Sequence, residues 1–220
     1  MKALKRSGWL VGLLLAGCGG TGALSGDYAQ RYVVEYDATQ NLTLFSGALL
    51  RDGRSEEIIP PATLTANGVP LNFTPANIST YPYTGFFTGR VNLPIVFTDY
   101  DNRAYENTVA LTNVPTIGFQ EGFVGFSRNG ITNLAWAGTA VAAGETVVVR
   151  VNGNAGVVRE YATSTEGATT VPVDGGEIFG IGGTRVSLSR RTTPALSEAS
   201  AAGGSLTLSY STGARTFTTF

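Results

Sequence analysis

Residues 93–111 of the chain read LPIVFTDYDNRAYENTVAL. Apolar side chains recur at alternate positions on both sides of the dipeptide Asp101-Asn102. They are Ile95, Phe97, Tyr105, Val109 and Leu111. A two-residue period is that of a strand with one buried face, and Asp followed by Asn between two such flanks favours a turn. The stretch therefore predicts an antiparallel hairpin packed on a core.

The same pattern recurs from Tyr28 to the end of the chain, where no run of ten residues has a helical period. Short runs rich in Val, Thr, Ile, Tyr and Phe are bounded by Gly, Asn, Asp or Pro. The predicted strands are 32–36, 42–49, 63–66, 93–98, 104–111, 130–136, 146–151, 157–163, 169–173, 185–189, 205–211 and 216–220. Asn67-Gly68 predicts a tight hairpin, and Ala195–Ala202 has room for one helical turn. The predicted fold class is all-β.

Two antiparallel β-sandwich units, residues 28–115 and 116–220, account for this number of strands. In the second unit Leu134-Ala135-Trp136 precedes a hydrophobic strand, Glu145-Thr146-Val147-Val148-Val149-Arg150-Val151. An inward tryptophan followed by such a strand resembles immunoglobulin-like and fibronectin type III modules. The resemblance implies two immunoglobulin-like sandwiches, with Trp136 in a core. One large sandwich or barrel is the alternative.

Residues 1–17 have the layout of a secretory signal peptide. Lys2, Lys5 and Arg6 form a basic segment, and the uncharged stretch Gly8 to Gly17 follows it. Ten residues rise about 15 Å as a helix, roughly half the thickness of a hydrocarbon core. We therefore expect a cleaved signal rather than a transmembrane anchor.

The signal ends in Leu15-Ala16-Gly17-Cys18, which resembles the lipobox of bacterial lipoproteins. In that family the peptide is cut before the cysteine, which then carries fatty acyl chains such as palmitate. The resemblance implies that Cys18 is lipidated and that residues 18–27 form a flexible tether. Gly19 follows the cysteine, which by resemblance to proteobacterial sorting implies the outer membrane. The alternative is an ordinary secretory signal that happens to contain a cysteine.

The composition excludes much chemistry. The chain has no histidine and one cysteine, which removes His-based triads, His-ligated metals, internal disulfides and cysteine zinc clusters. Without residues 1–17 it has no lysine, twelve arginines and sixteen acidic residues, a net charge of −4. This balance argues against nucleic acid as a partner. With no histidine or lysine to activate a nucleophile, we expect no enzyme and no cofactor, although a carboxylate pair for glycoside hydrolysis stays open.

The segment Tyr81-Pro82-Tyr83-Thr84-Gly85-Phe86-Phe87 concentrates four aromatic rings. As a loop, it predicts a stacking platform for a glycan or for peptide side chains, formed by Tyr81, Tyr83, Phe86 and Phe87. The alternatives are packing of these rings in the core and contact with the membrane. If the segment is extended, we expect one of the two adjacent phenylalanines to face inward and the other outward.

Three further features have simpler interpretations. Asp99, Asp101 and Asn102 are weak calcium candidates, because oxygen ligands alternate there, but a plain hairpin turn explains them equally. The glycines between residues 175 and 183 lack the spacing of a phosphate loop and are read as loop residues. Arg190-Arg191 is expected to be solvated at a strand end.

The sequence therefore predicts a non-catalytic, lipid-anchored cell-envelope protein that displays β-sandwich modules in a structural, accessory or adhesion-type role. Its partners would be the membrane, through the lipid, and a protein or a glycan. The alternative functions are a glycan-binding lipoprotein and a calcium-stabilised accessory domain of an enzyme.

Overall fold

The computed structural model describes residues 27–75 and 80–220, and this part of the chain is all-β, as predicted. The strands are β1 (Ala29–Asp37), β2 (Leu42–Arg51), β3 (Arg54–Ser55), β4 (Thr63–Ala66), β5 (Val69–Pro70), β6 (Tyr83–Thr88), β7 (Asn92–Thr98), β8 (Ala104–Ala110), β9 (Ile117–Phe119), β10 (Gly125–Phe126), β11 (Ile131–Gly138), β12 (Glu145–Asn152), β13 (Val158–Thr163), β14 (Thr170–Asp174), β15 (Arg185–Thr192), β16 (Gly204–Ser211), β17 (Arg215–Thr216) and β18 (Thr218–Thr219). One short α-helix, α1 (Gly175–Gly180), follows β14, and Leu111–Asn113 and Asn154–Gly156 form single 3-10 turns.

A nine-stranded sheet contains strands from both ends of the chain. Its order is β13-β12-β15-β16-β1-β2-β3, with β6 paired to β2 and β17 paired to β15. β1 and β16 pair in parallel over eight residue pairs, whereas the other pairs in this sheet are antiparallel. Three small sheets complete the described fold: β5-β4-β7-β8, β14-β11-β9 and β10-β18.

Two hydrophobic cores lie between the large sheet and the small ones. The first core contains Tyr32 and Phe45 of the large sheet and Leu93 and Phe97 of the four-stranded sheet. The second core contains Leu134, Trp136, Val149, Val171 and Leu188, among others. Residues paired across strands share a face, and the register places Leu188, Leu208 and Val34 on the same side of the large sheet. The two sandwiches therefore lie side by side on one face of a shared sheet.

The shared sheet contains strands from both predicted segments of the chain. Residues 28–115 and 116–220 each supply most of one core, but β16 of the second segment pairs with β1 of the first. Leu206 and Leu208 of β16 are buried in the first core. A strand of the second segment therefore contributes to the first sandwich.

Most predicted hairpins are present. Asn67 and Gly68 have positive φ angles of 51° and 72° in the β4–β5 turn, as a tight two-residue hairpin requires. β7 and β8 form the antiparallel hairpin expected from residues 93–111. The segment 195–202, with room for a helical turn, contains none. It passes beside β8 instead, where Glu198 Oε2 accepts a hydrogen bond from the Glu106 N–H (2.7 Å).

The glycine-rich segment after β14 begins with α1 rather than with a loop. Asp174 caps the helix, since its Oδ1 accepts hydrogen bonds from the N–H groups of Gly176 (2.8 Å) and Glu177 (3.2 Å). Gly175 packs so closely on the Ser127 carbonyl that a Cβ at this position would overlap it. The glycine is therefore required by a close approach of two backbones and not by a phosphate.

The connection between the two sandwiches is held by Arg90. Its guanidinium donates hydrogen bonds to the carbonyl oxygens of Leu111 (2.7 Å) and Val114. The same guanidinium lies 5.2 Å from the ring centroid of Tyr210, which contacts both cores. The hydrogen bonds to the Leu111 and Val114 carbonyl groups and the cation–π contact with Tyr210 thus attach the turn between the sandwiches to the shared sheet.

Candidate functional site

The aromatic segment forms strand β6, and the strand separates the rings. Tyr83 is buried, at 1% exposure, and packs edge-to-face on Phe73 with ring centroids 5.5 Å apart. Phe87 packs against the first core, whereas Phe86 is 66% exposed. Tyr81 is half-buried. The four rings therefore do not share one surface, because successive residues of a strand point to opposite faces.

Tyr83 has a structural role at the end of the first sandwich. Its hydroxyl accepts a hydrogen bond from the Ile58 N–H (2.8 Å) and donates one to the Glu56 carbonyl (3.3 Å). Burial raises the pKa of Tyr83 to about 12. Tyr83 pairs with Gly47 of β2, and Gly47 pairs on its other side with Tyr32 of β1. The rings of Tyr83 and Tyr32 therefore flank a position that has no side chain.

Phe86 lies on an edge strand with free backbone groups. Gly89 N–H donates to the Asn41 carbonyl (2.8 Å) at the end of the β2–β6 ladder. Hydrogen-bonded and non-bonded pairs alternate in an antiparallel ladder, so Phe87 and Gly85 bond to β2. The N–H and C=O of Phe86 point away from β2, and no described strand pairs with them.

A groove of about 370 Å³ lies along this edge. One wall is β6, and the other is the segment 69–74. The lining residues are Val69, Pro70, Leu71, Asn72, Thr74, Thr84, Gly85, Phe86 and Phe87. None of them is ionisable, and Val69 is 53% exposed. We call this feature the β6 groove.

The amino-acid sequence indicates one wall of the β6 groove and gives no sign of the other. Phe86 and Phe87 were among the predicted ligand contacts, whereas Val69–Thr74 carried no signal beyond the preceding Asn67-Gly68 turn. The two walls meet at an isolated bridge between Phe73 and Tyr83. Local sequence patterns do not predict such a contact.

The Asp99–Asn102 turn is formed by its own hydrogen bonds. Asp99 Oδ1 accepts from the N–H groups of Asp101 (2.9 Å) and Arg103 (2.9 Å), and Oδ2 accepts from the Tyr105 hydroxyl (3.2 Å). Asn102 has a positive φ of 59°. These bonds explain why Asp and Asn occupy the turn, as in the plain-hairpin interpretation. Within residues 27–75 and 80–220, no group of three His, Cys, Asp or Glu side chains is arranged to hold a metal.

Arg190 and Trp136 form a buried polar network in the second sandwich. Arg190, expected to be solvated, is fully buried and lies 3.4 Å from Glu145 Oε2. Its guanidinium also donates to the Oγ1 (2.6 Å) and the carbonyl of Thr139. The same carbonyl accepts from Trp136 Nε1 (2.9 Å), and the indole is 6% exposed in the second core. The network braces the sandwich, and alternation along β15 (Val186, Leu188, Arg190) is the sequence signal that places Arg190 inside.

A second groove, of about 380 Å³, lies where the segment 192–197 passes β8. Its polar side chain Asn107 already holds that segment. Asn107 Oδ1 accepts from Ser197 N–H (2.8 Å), and its Nδ2 donates to the Glu198 carbonyl (2.9 Å). The segment that contains Ser197 and Glu198 covers the free edge of β8, and this groove is the space left where the two pack together.

Cys18 lies outside the described residues, as do the predicted signal peptide and most of the tether. In the described part of the chain, no helix is long and apolar enough to span a membrane.

Comparison with known proteins adds little. No protein family matches the chain, and no curated protein matches it. A solved structure, from work on how a 1.5-MDa bacterial ice-binding adhesin is retained on its host cell surface, aligns over 84% of this chain at 16% identity and a TM-score of 0.29. The alignment covers 64% of that structure. At this TM-score the likeness carries no argument about function.

Proposed function

We propose that this chain is a non-catalytic, lipid-anchored protein of the bacterial cell envelope, most simply of the outer membrane, in an adhesion-type or accessory role. The observation that carries the proposal is the segment Leu15-Ala16-Gly17-Cys18 behind a basic and then apolar N-terminus. Two sandwiches that share one sheet suit display, because the pairing of β1 with β16 joins them. The absence of histidine from the whole chain, and of lysine after residue 17, supports a role without catalysis.

The length of the tether supports display close to the membrane. Ten residue steps separate Cys18 from Tyr28 and span at most about 35 Å when fully extended. Phe86 lies level with Glu35 across the sheet, seven residues along from Tyr28. The β6 groove would therefore lie about 24 Å, measured along the strand direction, from Tyr28, where the tether joins the first sandwich.

Replacing the lipidation residue tests the anchor. We expect Cys18→Ser to remain unlabelled by an alkyne analogue of palmitate, to be lost from the outer-membrane fraction, and to be either unprocessed or soluble. Thr21→Ser, in the tether, is the matched control and should behave as the wild type does. Labelling of the Cys18→Ser protein, or its cleavage before position 18 combined with unchanged partition into detergent, would refute the lipoprotein proposal.

Protease treatment of intact cells tests the display. We expect loss of the protein from intact cells if it faces the medium, together with reduced adherence of cells that lack it. Protection from protease combined with unchanged adherence would contradict the adhesion-type role and leave the accessory role.

A further inference from the structure

β6 differs from the other edge strands of the described sheets. Edges are normally protected by charge, proline, shortness or a covering segment. Among described edge strands longer than three residues, β13 carries Arg159 and Glu160, and β14 contains Pro172. β8 is covered through Asn107 and Glu198. β6 reads Tyr-Thr-Gly-Phe-Phe-Thr and carries no charge and no proline. Beyond the Phe73–Tyr83 bridge no described strand pairs with its outer edge, and residues 69–74 lie across the groove from it.

We infer that the β6 groove binds an extended, uncharged polypeptide segment of a partner protein, which adds to β6 as a further strand. The inference rests on the adhesion-type role proposed above, for which it names the class of partner. An uncharged segment fits the groove, because its nine lining residues include no ionisable group. Main-chain bonds would supply affinity, and side-chain contacts would supply selectivity.

The register defines what an added strand would contact. The N–H and C=O of Phe86 are directed at it and would form one hydrogen-bonded pair. Partner side chains level with Phe86 would lie on the outer face, beside a ring that is 66% exposed. The alternate side chains would point towards Leu71 and Val69 on the opposite wall. A segment with apolar residues at alternate positions matches both sides.

The second wall favours a single extended chain over another copy of this protein. Residues 69–74 lie beside the edge and leave about 370 Å³ between the walls. A second copy would bring its own residues 69–74 to the same place. A charged partner would lose solvation without gaining an opposite charge, because no ionisable side chain lines the groove.

Proline at position 86 separates strand addition from simple hydrophobic contact. The Phe86 N–H does not bond to β2, so Phe86→Pro removes a donor at the free edge and keeps the β2–β6 ladder. Phe86→Ala removes the ring alone. Ala162→Pro is the matched control on the opposite edge of the sheet, because the alternation along β13 directs the Ala162 N–H away from β12.

The probe is a capped, fluorescent Thr-Val-Thr-Val-Thr-Val peptide titrated into the purified full chain by anisotropy. We expect saturable binding, slower hydrogen exchange at the Phe86 amide and no binding of capped Thr-Asp-Thr-Asp-Thr-Asp. Phe86→Ala should weaken binding, and Phe86→Pro should weaken it about tenfold further, as the loss of one hydrogen bond predicts. Ala162→Pro should bind like the wild type.

Three results would overturn the inference: no binding of the valine peptide at about 1 mM, the range of the weakest specific complexes; equal affinities of Phe86→Ala and Phe86→Pro; or equal binding of the aspartate peptide. Self-association abolished by Phe86→Pro would assign the edge to a second copy and also refute a partner segment. The peptide assay contains no membrane, so a negative result would not contradict the lipid anchor. A negative result of the Cys18 test would likewise not contradict peptide binding in the β6 groove.

Discussion

Arg190 and Arg191 are neighbours in β15, yet their side chains lie on opposite faces of the large sheet. Arg190 is buried beside Glu145, whereas Arg191 lies 4.0 Å from Glu160 with both side chains about 40% exposed or more. A buried ion pair is costly to break, because the remaining charge loses solvent and partner together. An exposed pair contributes little, because water screens it. The same residue type therefore has different energetic roles at adjacent positions.

Breaking the buried pair should be strongly destabilising. We expect Glu145→Gln to lower the free energy of unfolding by about 3–5 kcal/mol, since it leaves the Arg190 charge without its counter-ion. Glu160→Gln, the matched change in the exposed pair with Arg191, should cost less than about 1 kcal/mol. Urea unfolding measures both. Equal effects of the two substitutions would contradict the assignment, and Glu145→Leu combined with Arg190→Met should cost less than Glu145→Gln.

Tyr83 links stability to alkaline pH. Its pKa is raised from 10.0 to about 12, chiefly by burial, so the unfolded chain loses this proton at lower pH than the folded chain. The resulting stabilisation is fully present below pH 10 and is lost as the pH rises to about 12.

We therefore expect Tyr83→Phe to make stability fall less steeply between pH 10 and 12 than in the wild type. At neutral pH the variant should lose about 1 kcal/mol, because the Ile58 N–H loses its acceptor. Urea unfolding at several pH values measures both effects. An unchanged slope above pH 10 would show that this hydroxyl does not titrate as proposed.

At the scale of single elements, β6 combines a buried and an exposed face within six residues. Its inward residues Tyr83 and Phe87 pack on the first core, and its outward residue Phe86 borders the groove. Gly85 lies between them on the inward face, where a Cβ would approach Leu71 Cδ2 to 3.1 Å. The strand therefore closes one side of the sandwich while its far edge stays open.

Substitutions at the two adjacent phenylalanines should separate packing from exposure. Phe87→Ala removes a ring from the first core and should cost about 3 kcal/mol. Phe86→Ala removes an exposed ring and should change the free energy of unfolding by no more than about 0.5 kcal/mol. Thermal and urea unfolding of the two variants provide the comparison. Similar losses at both positions would mean that Phe86 is also packed.

At the scale of the whole molecule, the parallel pairing of β1 with β16 joins the two sandwiches. Tyr32 and Val34 lie opposite Leu206 and Leu208 in this pairing. The Ser200 hydroxyl also donates to the Tyr28 carbonyl (2.6 Å), a contact that spans 172 positions of the chain. The first core is therefore complete only when the end of the chain has reached it.

We expect residues 28–115, expressed alone, to lack cooperative unfolding, because their sheet lacks β16. The same residues joined through a glycine-serine linker to residues 193–211 should recover a dispersed NMR spectrum and a sigmoidal urea transition. Cooperative unfolding of residues 28–115 alone would show instead that the first sandwich is an independent domain.

The sequence by itself determined the all-β class, the Asn67-Gly68 and Asp101-Asn102 turns and the burial of Trp136. These features depend on interactions between residues close in the chain, namely the two-residue period of strands and the backbone angles that Asn and Gly tolerate. It also predicted that one of Phe86 and Phe87 faces inward, because that follows from strand geometry.

Tertiary structure decided the rest. The pairing of β1 with β16 and the meeting of β6 with residues 69–74 are contacts between distant segments, and many registers are compatible with the same alternating pattern. The buried pair of Arg190 with Glu145 likewise depends on which strand lies beside β15. The groove exists because two strand edges diverge after one bridge, and packing of the whole molecule, rather than any local pattern, sets that divergence.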